Sequence, residues 1–219
     1  FYRDIEMKII IPARKGSKGL PFKNRKLFKY TADDIPINMY DSVHVATDDH
    51  EIAKLAESYD FNILPRPRKV SNDTASTKAL MEYALENIEL DNKDETIVML
   101  YLTYPERSWS EVEDAIAEFA RSGSDSLLCR KEIKTSPFLV LKEEKNGRGS
   151  QLFYHDLYRR QDYPKCFEIS HYISIFRASS LPELNNNMYN SNTFFLKIEK
   201  DIIDVDTKKD LNKINGKRS

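Results

Sequence analysis

The sequence predicts an α/β domain built on a mostly parallel sheet, and two observations support this class. First, β-branched runs such as Ile9–Ile11 and Val43–Thr47 alternate with segments whose apolar residues recur at helical spacing. Second, the chain has 219 residues, of which 40% are hydrophobic and 11% aromatic, enough to bury a core. We therefore expect one domain that spans residues 1–219.

The first half of the chain gives the clearest elements. Asp49 follows the second strand and is placed to cap a helix that buries Ile52 and Ala56. Another amphipathic helix is expected around Leu80–Ile88. Thr96–Leu102 is the most apolar run and should form a central strand.

The middle of the chain continues this alternation. Ser108–Glu111 has the pattern of a capping box, which predicts a helix with Val112 and Phe119 on its buried face. A strand over Ser126–Cys129 follows, and beyond about Pro137 the regular alternation ends.

Residues 138–170 are expected to form an insertion. Lys142–Gln151 is polar and contains glycine, and Tyr154–Pro164 combines aromatic residues with arginines, so this stretch predicts a hairpin or arm. Two further strands and a last helix should follow at Tyr172–Phe176, at Phe194–Ile198 and from Thr207 to about Ile214.

Charge and composition exclude several classes of protein. The 34 Lys and Arg against 35 Asp and Glu disfavour a nucleic-acid binder that depends on overall positive charge. No apolar run approaches the ~20 residues of a membrane helix, so we expect a soluble protein without membrane contact. Cys129 and Cys166 offer no disulfide framework and no zinc spacing, which favours a reducing, cytoplasmic location. Met7 is a candidate natural start.

The loop after the first strand is rich in glycine and basic residues. Gly16 and Gly19 are two of only six glycines in the chain, and Arg14 and Lys23 flank them. Such a loop suits phosphate, because bare backbone N–H groups approach its oxygens closely and cations neutralise its charge. The spacing matches neither the Walker loop nor the dinucleotide fingerprint. A solvated basic turn is the alternative, but the position after the first strand favours phosphate binding.

An acidic pair lies near the other end of the chain. Asp204 and Asp206 alternate along a predicted strand end, which would place both carboxylates on one face. Two such groups repel unless a cation lies between them, which indicates Mg²⁺ and hence a nucleoside triphosphate. The alternative is that Asp206 caps the helix beginning at Thr207, and spacing alone favours neither interpretation.

Two further segments allow both functional and structural interpretations. The hydroxyl-rich Asp73–Thr77 follows Arg66 and could read a base or ribose edge, although helix capping is the commoner role of such residues. Arg159–Asp162 is either a surface ion-pair cluster or a mobile arginine that closes over an anion. The four histidines show no metal-ligand spacing, and we assign none of them a role.

Several motifs together resemble those of the acylneuraminate cytidylyltransferases, also called CMP-sialic acid synthetases. Ile11–Asn24 is similar to the family's nucleotide-binding signature. The other matches follow in the family's order and span nearly the whole chain: Val45–Asp49, Arg66 with Pro67, Asp73–Thr77, Pro105–Arg107, Arg159–Asp162 and Ile203–Thr207.

The resemblance implies a Rossmann-like fold, a homodimer formed through the arm, and a reaction. CMP would pass from CTP to the anomeric hydroxyl of a 2-keto-3-deoxy sugar acid, with Mg²⁺ as cofactor and pyrophosphate as second product. The residues it implies are Arg14, Ser17 and Lys23 for the triphosphate, Asn24 for the nucleotide, Arg66, Thr77 and the backbone of Ala75 for cytidine, Arg160 as the arm's active-site arginine, and Asp204 and Asp206 for the metal.

The chain also departs from the family's pattern on the sugar side. Tyr101–Pro105 replaces the usual Gln-Pro-Thr-Ser-Pro, whose Gln contacts the acceptor, and Ser170–Ser174 replaces Asn-Gly-Ala-Ile-Tyr. Tyr101 and Arg160 are thus the expected sugar-side residues, and the acceptor is expected to be a related acid such as a legionaminic, pseudaminic or octulosonic acid. The alternatives are a 3-deoxy-manno-octulosonate cytidylyltransferase and a CTP-binding module without turnover.

Overall fold

The computed structural model describes residues 6–72 and 74–218. Asp73, which belongs to the hydroxyl-rich segment, lies outside the described residues. Its role there stays a prediction.

The strands form a seven-stranded sheet and a separate hairpin. In the sheet the order is β3-β2-β1-β4-β8-β5-β9, and only β8 runs antiparallel to its neighbours β4 and β5. This confirms the mostly parallel α/β sheet. The strands are β1 (Met7–Pro12), β2 (Val43–Thr47), β3 (Asn62–Pro65), β4 (Thr96–Met99), β5 (Ser126–Glu132), β6 (Leu141–Glu143), β7 (Gly149–Gln151), β8 (Phe167–Arg177) and β9 (Thr193–Lys197).

Helices cover both faces of this sheet. Ile9 and Ile11 of β1 point to one face and Ile10 to the other, and each side belongs to its own buried apolar cluster. The first face packs against α1, α2 and α5, and the second packs against α4. No helix of the described residues is both long and apolar enough to cross a membrane. The helices are α1 (Lys23–Ala32), α2 (His50–Glu57), α3 (Arg68–Ser71), α4 (Thr77–Asn87), α5 (Trp109–Ser122) and α6 (Lys208–Arg218).

Local signals fix where two of these helices begin. The Asp49 carboxylate accepts a hydrogen bond from the Glu51 N–H at 3.0 Å and caps α2. Ser108 and Glu111 form the predicted capping box at the start of α5. Both predictions are confirmed.

The segment that carries the acidic pair differs from its prediction. Residues 202–206 do not form a strand, and the expectation of one is wrong. A single backbone bond, from the Val205 N–H to the Thr103 carbonyl at 2.8 Å, ties the segment to the end of the sheet. Val205 is fully buried while Asp204 and Asp206 are exposed, so the alternation on which the prediction rested survives without a strand.

The insertion after β5 contains the expected hairpin. β6 and β7 pair antiparallel in their own two-stranded sheet, apart from the main one. Most of the segment from residue 139 to 160 is exposed. Its role in dimerisation stays a prediction.

Candidate active site

A cavity of about 370 Å³ opens at the carboxyl ends of β1 and β4. The chain leaves β1 towards β2 on one side, whereas β4 lies on the other, so the strand order reverses between them. Open parallel sheets bind ligands at such a switch point. Ten of the eleven residues expected from the sequence line this cavity: Arg14, Ser17, Lys23, Asn24, Arg66, Ala75, Thr77, Tyr101, Asp204 and Asp206.

The loop between β1 and α1 forms the basic wall of the cavity. The Asn24 side-chain amide donates to the Arg14 carbonyl at 2.8 Å, and the Lys15 N–H donates to Asp48 at 2.7 Å, so both ends of the loop are tied down. Lys23 is the first residue of α1, whose N-terminus carries partial positive charge. Loop and helix together suit an anion such as phosphate.

Gly19 allows this loop to meet the acidic segment. A Cβ atom at Gly19 would lie 2.4 Å from the Asp206 carbonyl oxygen, closer than any side chain tolerates. At Gly16 a Cβ would meet no atom of the described residues within 4 Å. Gly19 is therefore needed for a close approach, whereas Gly16 has open space around it.

Lys23 and Asp206 form an ion pair across the cavity. Their Nζ and Oδ1 atoms are 2.7 Å apart although 183 positions separate them in the chain. The Lys23 side chain is 13% exposed and that of Asp206 is 69% exposed. The residue expected to hold phosphate thus contacts one expected to hold metal.

Asp206 does not cap the last helix. The cap is Thr207, whose N–H and hydroxyl donate to the Asp210 carboxylate at 3.0 and 2.6 Å while the Asp210 N–H donates back to the Thr207 hydroxyl at 3.3 Å. The capping alternative for Asp206 is therefore wrong. Its carboxylate faces the cavity instead.

Asp204 has a different partner. The Tyr104 hydroxyl donates to its Oδ2 at 3.0 Å, and Tyr104 is buried. Burial raises the pKa of Tyr104, and the neighbouring carboxylate raises it further, so the phenol stays a donor at neutral pH. Asp204 is thereby held in one orientation.

Asp204 and Asp206 have the chemistry of magnesium ligands. Among residues 6–72 and 74–218, no group of three or more His, Cys, Asp or Glu side chains could hold a metal by itself. Mg²⁺ is usually bound by one or two carboxylates together with water and substrate phosphates. Asp204 and Asp206 are such a set, so a metal held jointly with a phosphorylated ligand suits them.

Hydroxyl and amide groups line another part of the cavity. The Ser76 side chain caps α4 by accepting from the Ala79 N–H at 3.1 Å, as the structural interpretation of this segment expects. The Ala75 N–H donates to the Asn72 side chain at 2.8 Å. The cavity is nevertheless lined by Ala75, Ser76 and Thr77. This segment therefore caps the helix and also forms part of the site.

Arg66 adds a cation beside these hydroxyls. Its Nε donates to the Val70 carbonyl at 2.6 Å, which fixes the guanidinium against α3. Burial lowers the pKa of Arg66, and Asp48 opposes this shift. Because the ordinary pKa of arginine is far above neutrality, the group stays charged.

Sequence reasoning missed His171 and Tyr104 as cavity residues. His171 precedes the part of β8 that pairs with β4, where Ser174 lies opposite Met99, so it reaches the carboxyl end of β4. Its Nδ1 lies 3.2 Å from the Ser174 hydroxyl, and burial lowers its pKa, so the ring is neutral at neutral pH. The departure of Ser170–Ser174 from the family pattern was the feature of the sequence that could have indicated His171.

Arg160 lies elsewhere. It is exposed in a short 3₁₀ turn, Arg160–Asp162, and lines a separate cavity of about 290 Å³ with Lys134 and Cys166. Its neighbour Arg159 pairs with Asp162 at 2.7 Å, which matches the surface ion-pair interpretation. An active-site role for Arg160 stays a prediction.

Arg107 supports two of the segments that surround the cavity. This buried guanidinium donates to the Tyr101 carbonyl at 3.0 Å and the Tyr172 carbonyl at 2.9 Å. Burial lowers the pKa of Arg107 to about 10, so it remains cationic at neutral pH. It ties the segment after β4 to β8.

Sheet order, switch-point cleft and glycine-containing loop define a Rossmann-like α/β protein of the kind that binds nucleotides at this place. A sequence profile described as Cytidylyltransferase matches residues 8–124, just over half of the chain. The chain therefore belongs to the cytidylyltransferase family.

Individual relatives agree with the resemblance found in the sequence. The chain is 28% identical over 216 residues to post-translational flagellin modification protein B of Campylobacter coli, covering 94% of this chain and 92% of that protein. The same figures apply to CMP-N,N'-diacetyllegionaminic acid synthase of Campylobacter jejuni. An N-acylneuraminate cytidylyltransferase of Streptococcus agalactiae is 26% identical over 218 residues, which are 94% of this chain and 52% of that protein. The chain thus spans about half of the streptococcal relative.

A solved structure shows the same fold. CMP:2-keto-3-deoxy-manno-octonic acid synthetase in complex with CTP matches with a TM-score of 0.65 at 17% identity, covering 97% of this chain and 98% of the other.

Proposed function

We propose that the protein transfers CMP from CTP to the anomeric hydroxyl of a 2-keto-3-deoxy sugar acid of the nonulosonic class, with release of pyrophosphate. The observation that carries this proposal is the meeting of three features in one switch-point cavity. They are the basic glycine loop, the hydroxyl-rich start of α4 and the two carboxylates. Membership of the cytidylyltransferase family supports the choice of nucleotide.

CTP would lie along the cavity with its triphosphate on the basic loop. Arg14 and Lys23 would neutralise phosphate charge there, helped by Ser17 and the N-terminus of α1. The cytidine would then lie against Arg66 and Thr77, where hydroxyl and guanidinium donors line the wall. This places the α-phosphorus between the loop and the carboxylates.

The reaction forms one bond and breaks another. The acceptor's anomeric oxygen bonds to the α-phosphorus, and its hydroxyl proton passes to solvent or to one of the two carboxylates. The bond between the α-phosphorus and the bridging oxygen breaks, so that pyrophosphate leaves. The protein contributes mainly positioning and electrostatic stabilisation, as in other phosphoryl transfers. Lys23 and Arg14 stabilise the charge that collects on the leaving pyrophosphate.

Asp204 and Asp206 are the proposed magnesium ligands. A bound Mg²⁺ would neutralise phosphate oxygens and lower the pKa of a coordinated hydroxyl. Tyr104 orients Asp204 for this task, and Lys23 lies beside Asp206 through its Oδ1 atom.

The class of acceptor follows from relatives and from the sugar-side changes. Relatives named for legionaminic and neuraminic acids share most of this chain's length, which supports a nonulosonic acid. Tyr104 and His171 line the cavity with Asp204, at positions where the family pattern has Ser and Gly. A related acid rather than N-acetylneuraminate therefore fits best.

We also propose that the protein is a cytoplasmic homodimer that associates through its arm. The arm exposes large apolar side chains, as an interface would: Leu139 51%, Leu141 64%, Leu152 51%, Phe153 49%, Tyr154 98% and Tyr158 86%. Arg160 would act in the active site if dimerisation brought the arm to a cavity. Sedimentation should give a dimer, and Tyr154→Asp together with Leu141→Asp should give a monomer.

The deciding experiment follows pyrophosphate release from CTP and Mg²⁺ with a panel of 2-keto-3-deoxy acids. Turnover with a nonulosonic acid supports the proposal. Turnover with octulosonates alone would favour the 3-deoxy-manno-octulosonate enzyme. CTP binding without turnover on any acid would favour a binding module.

A further inference from the structure

Two hydroxyl groups meet inside the cavity, one from the sheet and one from a helix. The Tyr101 hydroxyl and the Thr77 Oγ1 are 2.7 Å apart, and either can donate. Tyr101 lies two residues beyond the end of β4, and Thr77 is the first residue of α4. Their hydrogen bond therefore links the end of the sheet to the start of the helix.

The surroundings of Tyr101 fix the direction of its hydroxyl. Its ring packs edge to face against His171, with 5.7 Å between ring centroids, and its carbonyl accepts a hydrogen bond from the buried Arg107. Burial raises the pKa of Tyr101, although Thr77 and Arg66 oppose the shift, so the phenol keeps its proton at neutral pH. The hydroxyl points to Thr77, while the neighbouring Tyr104 hydroxyl serves Asp204.

We infer that Tyr101 is a positioning residue for the nucleotide: its hydroxyl fixes the Thr77 side chain so that the Thr77 hydroxyl is presented to the bound cytidine. The inference rests on the proposed function, in which cytidine lies against α4. A threonine in a helix populates more than one side-chain rotamer. Selecting one rotamer before binding lowers the entropy lost on binding. The Tyr101 hydroxyl then acts on the nucleotide side, not on the acceptor.

Tyr101→Phe is the direct test because it keeps the ring and removes only the hydroxyl. Loss of one neutral hydrogen bond should weaken CTP binding about fivefold. The KM for the sugar acid and kcat at saturating CTP should change less than the Kd for CTP. Calorimetric titration with CTP and Mg²⁺, without acceptor, measures the first effect, and steady-state kinetics measure the other two.

Thr77→Val completes a double-mutant cycle, since valine matches threonine in shape. If the two hydroxyls act through one bond, Tyr101→Phe and Thr77→Val together should weaken CTP binding no more than Thr77→Val alone. Thr77→Ser, which retains the hydroxyl, should bind CTP nearly as the native protein does. Tyr30→Phe is the matched control: it removes a tyrosine hydroxyl bonded to Asn215 outside the cavity and should leave the Kd for CTP unchanged.

The outcomes separate this inference from the proposed function. Native protein that binds no CTP would overturn both. Native protein that binds CTP, with an unchanged Kd in Tyr101→Phe, would overturn the inference alone. So would additive effects in the cycle, or a Tyr101→Phe effect confined to the KM for the acid. Circular dichroism of each variant checks that it is folded. If Tyr101→Phe does not fold, the Kd of Thr77→Val for CTP provides the test.

Discussion

The phosphate end and the aromatic end of the same cavity are built in opposite ways. At the phosphate end, backbone and charge dominate: a glycine loop approaches Asp206 so closely that no Cβ fits, and Lys23 pairs with the same residue. At the aromatic end, large side chains fill the space, and their hydroxyls bond to Thr77 and Asp204. Bare backbone and positive charge suit phosphate, whereas rings and hydroxyls suit the base and sugar parts of the ligands.

The largest effect should come from Asp206→Ala. Losing this carboxylate would remove a proposed magnesium ligand, so pyrophosphate release should fall by about three orders of magnitude, equal to about 4 kcal/mol of barrier. Pyrophosphate release at increasing Mg²⁺ measures the effect, and circular dichroism should show a native spectrum. Near-normal turnover would refute the metal role of Asp206.

Gly19→Ala tests the backbone approach at this end. Its new Cβ would displace the loop from the Asp206 carbonyl, and we expect kcat/KM to fall about 100-fold, because small misplacements of binding groups are costly. Gly216→Ala is the control, since a Cβ there would meet no atom of the described residues within 4 Å and the residue lies in α6 outside the cavity, and it should lose less than about threefold. Equal losses in the two variants would contradict the assigned role of Gly19.

Tyr104→Phe tests the aromatic end at Asp204. The variant loses one hydrogen bond to a carboxylate, about 1.5 kcal/mol, so kcat should fall about tenfold. Because the hydroxyl orients a proposed metal ligand, the concentration of Mg²⁺ needed for half-maximal rate should rise too. An unchanged magnesium requirement would argue that Tyr104 only fills space.

The smallest effect is expected for His171→Ala. His171 lies at the aromatic end, where its ring packs against Tyr101 and its Nδ1 lies 3.2 Å from the Ser174 hydroxyl, so its loss should raise the KM for the acid about threefold. Because the ring also packs against Tyr101, the Kd for CTP, measured by calorimetry, should rise as well, but by less than in Tyr101→Phe, since the Tyr101 hydroxyl is still present. A change in CTP binding without a change in the KM for the acid would mean that His171 acts only through Tyr101.

Local sequence patterns predicted the parallel strands, the caps of α2 and α5 and ten of the eleven residues expected in the site, because each rests on short-range periodicity or on a motif. The expectation that Asp204 and Asp206 lie at a strand end was wrong because apolar and polar alternation also arises where a buried residue anchors an irregular segment, as Val205 does. α1 was not predicted, although its buried residues Leu27, Phe28 and Ala32 follow helical spacing.

By itself, the sequence determined the fold class, the basic loop, the acidic pair and the family that they resemble. Only the tertiary structure decided which of these groups meet. Lys23 reaches Asp206 across 183 positions, and Tyr101 reaches Thr77 because β4 ends beside the start of α4. His171 enters the cavity because β8 runs antiparallel beside β4. The physical reason is that hydrogen bonds and ion pairs depend on distance in space, which strand order and register set, whereas composition and spacing describe only neighbours along the chain.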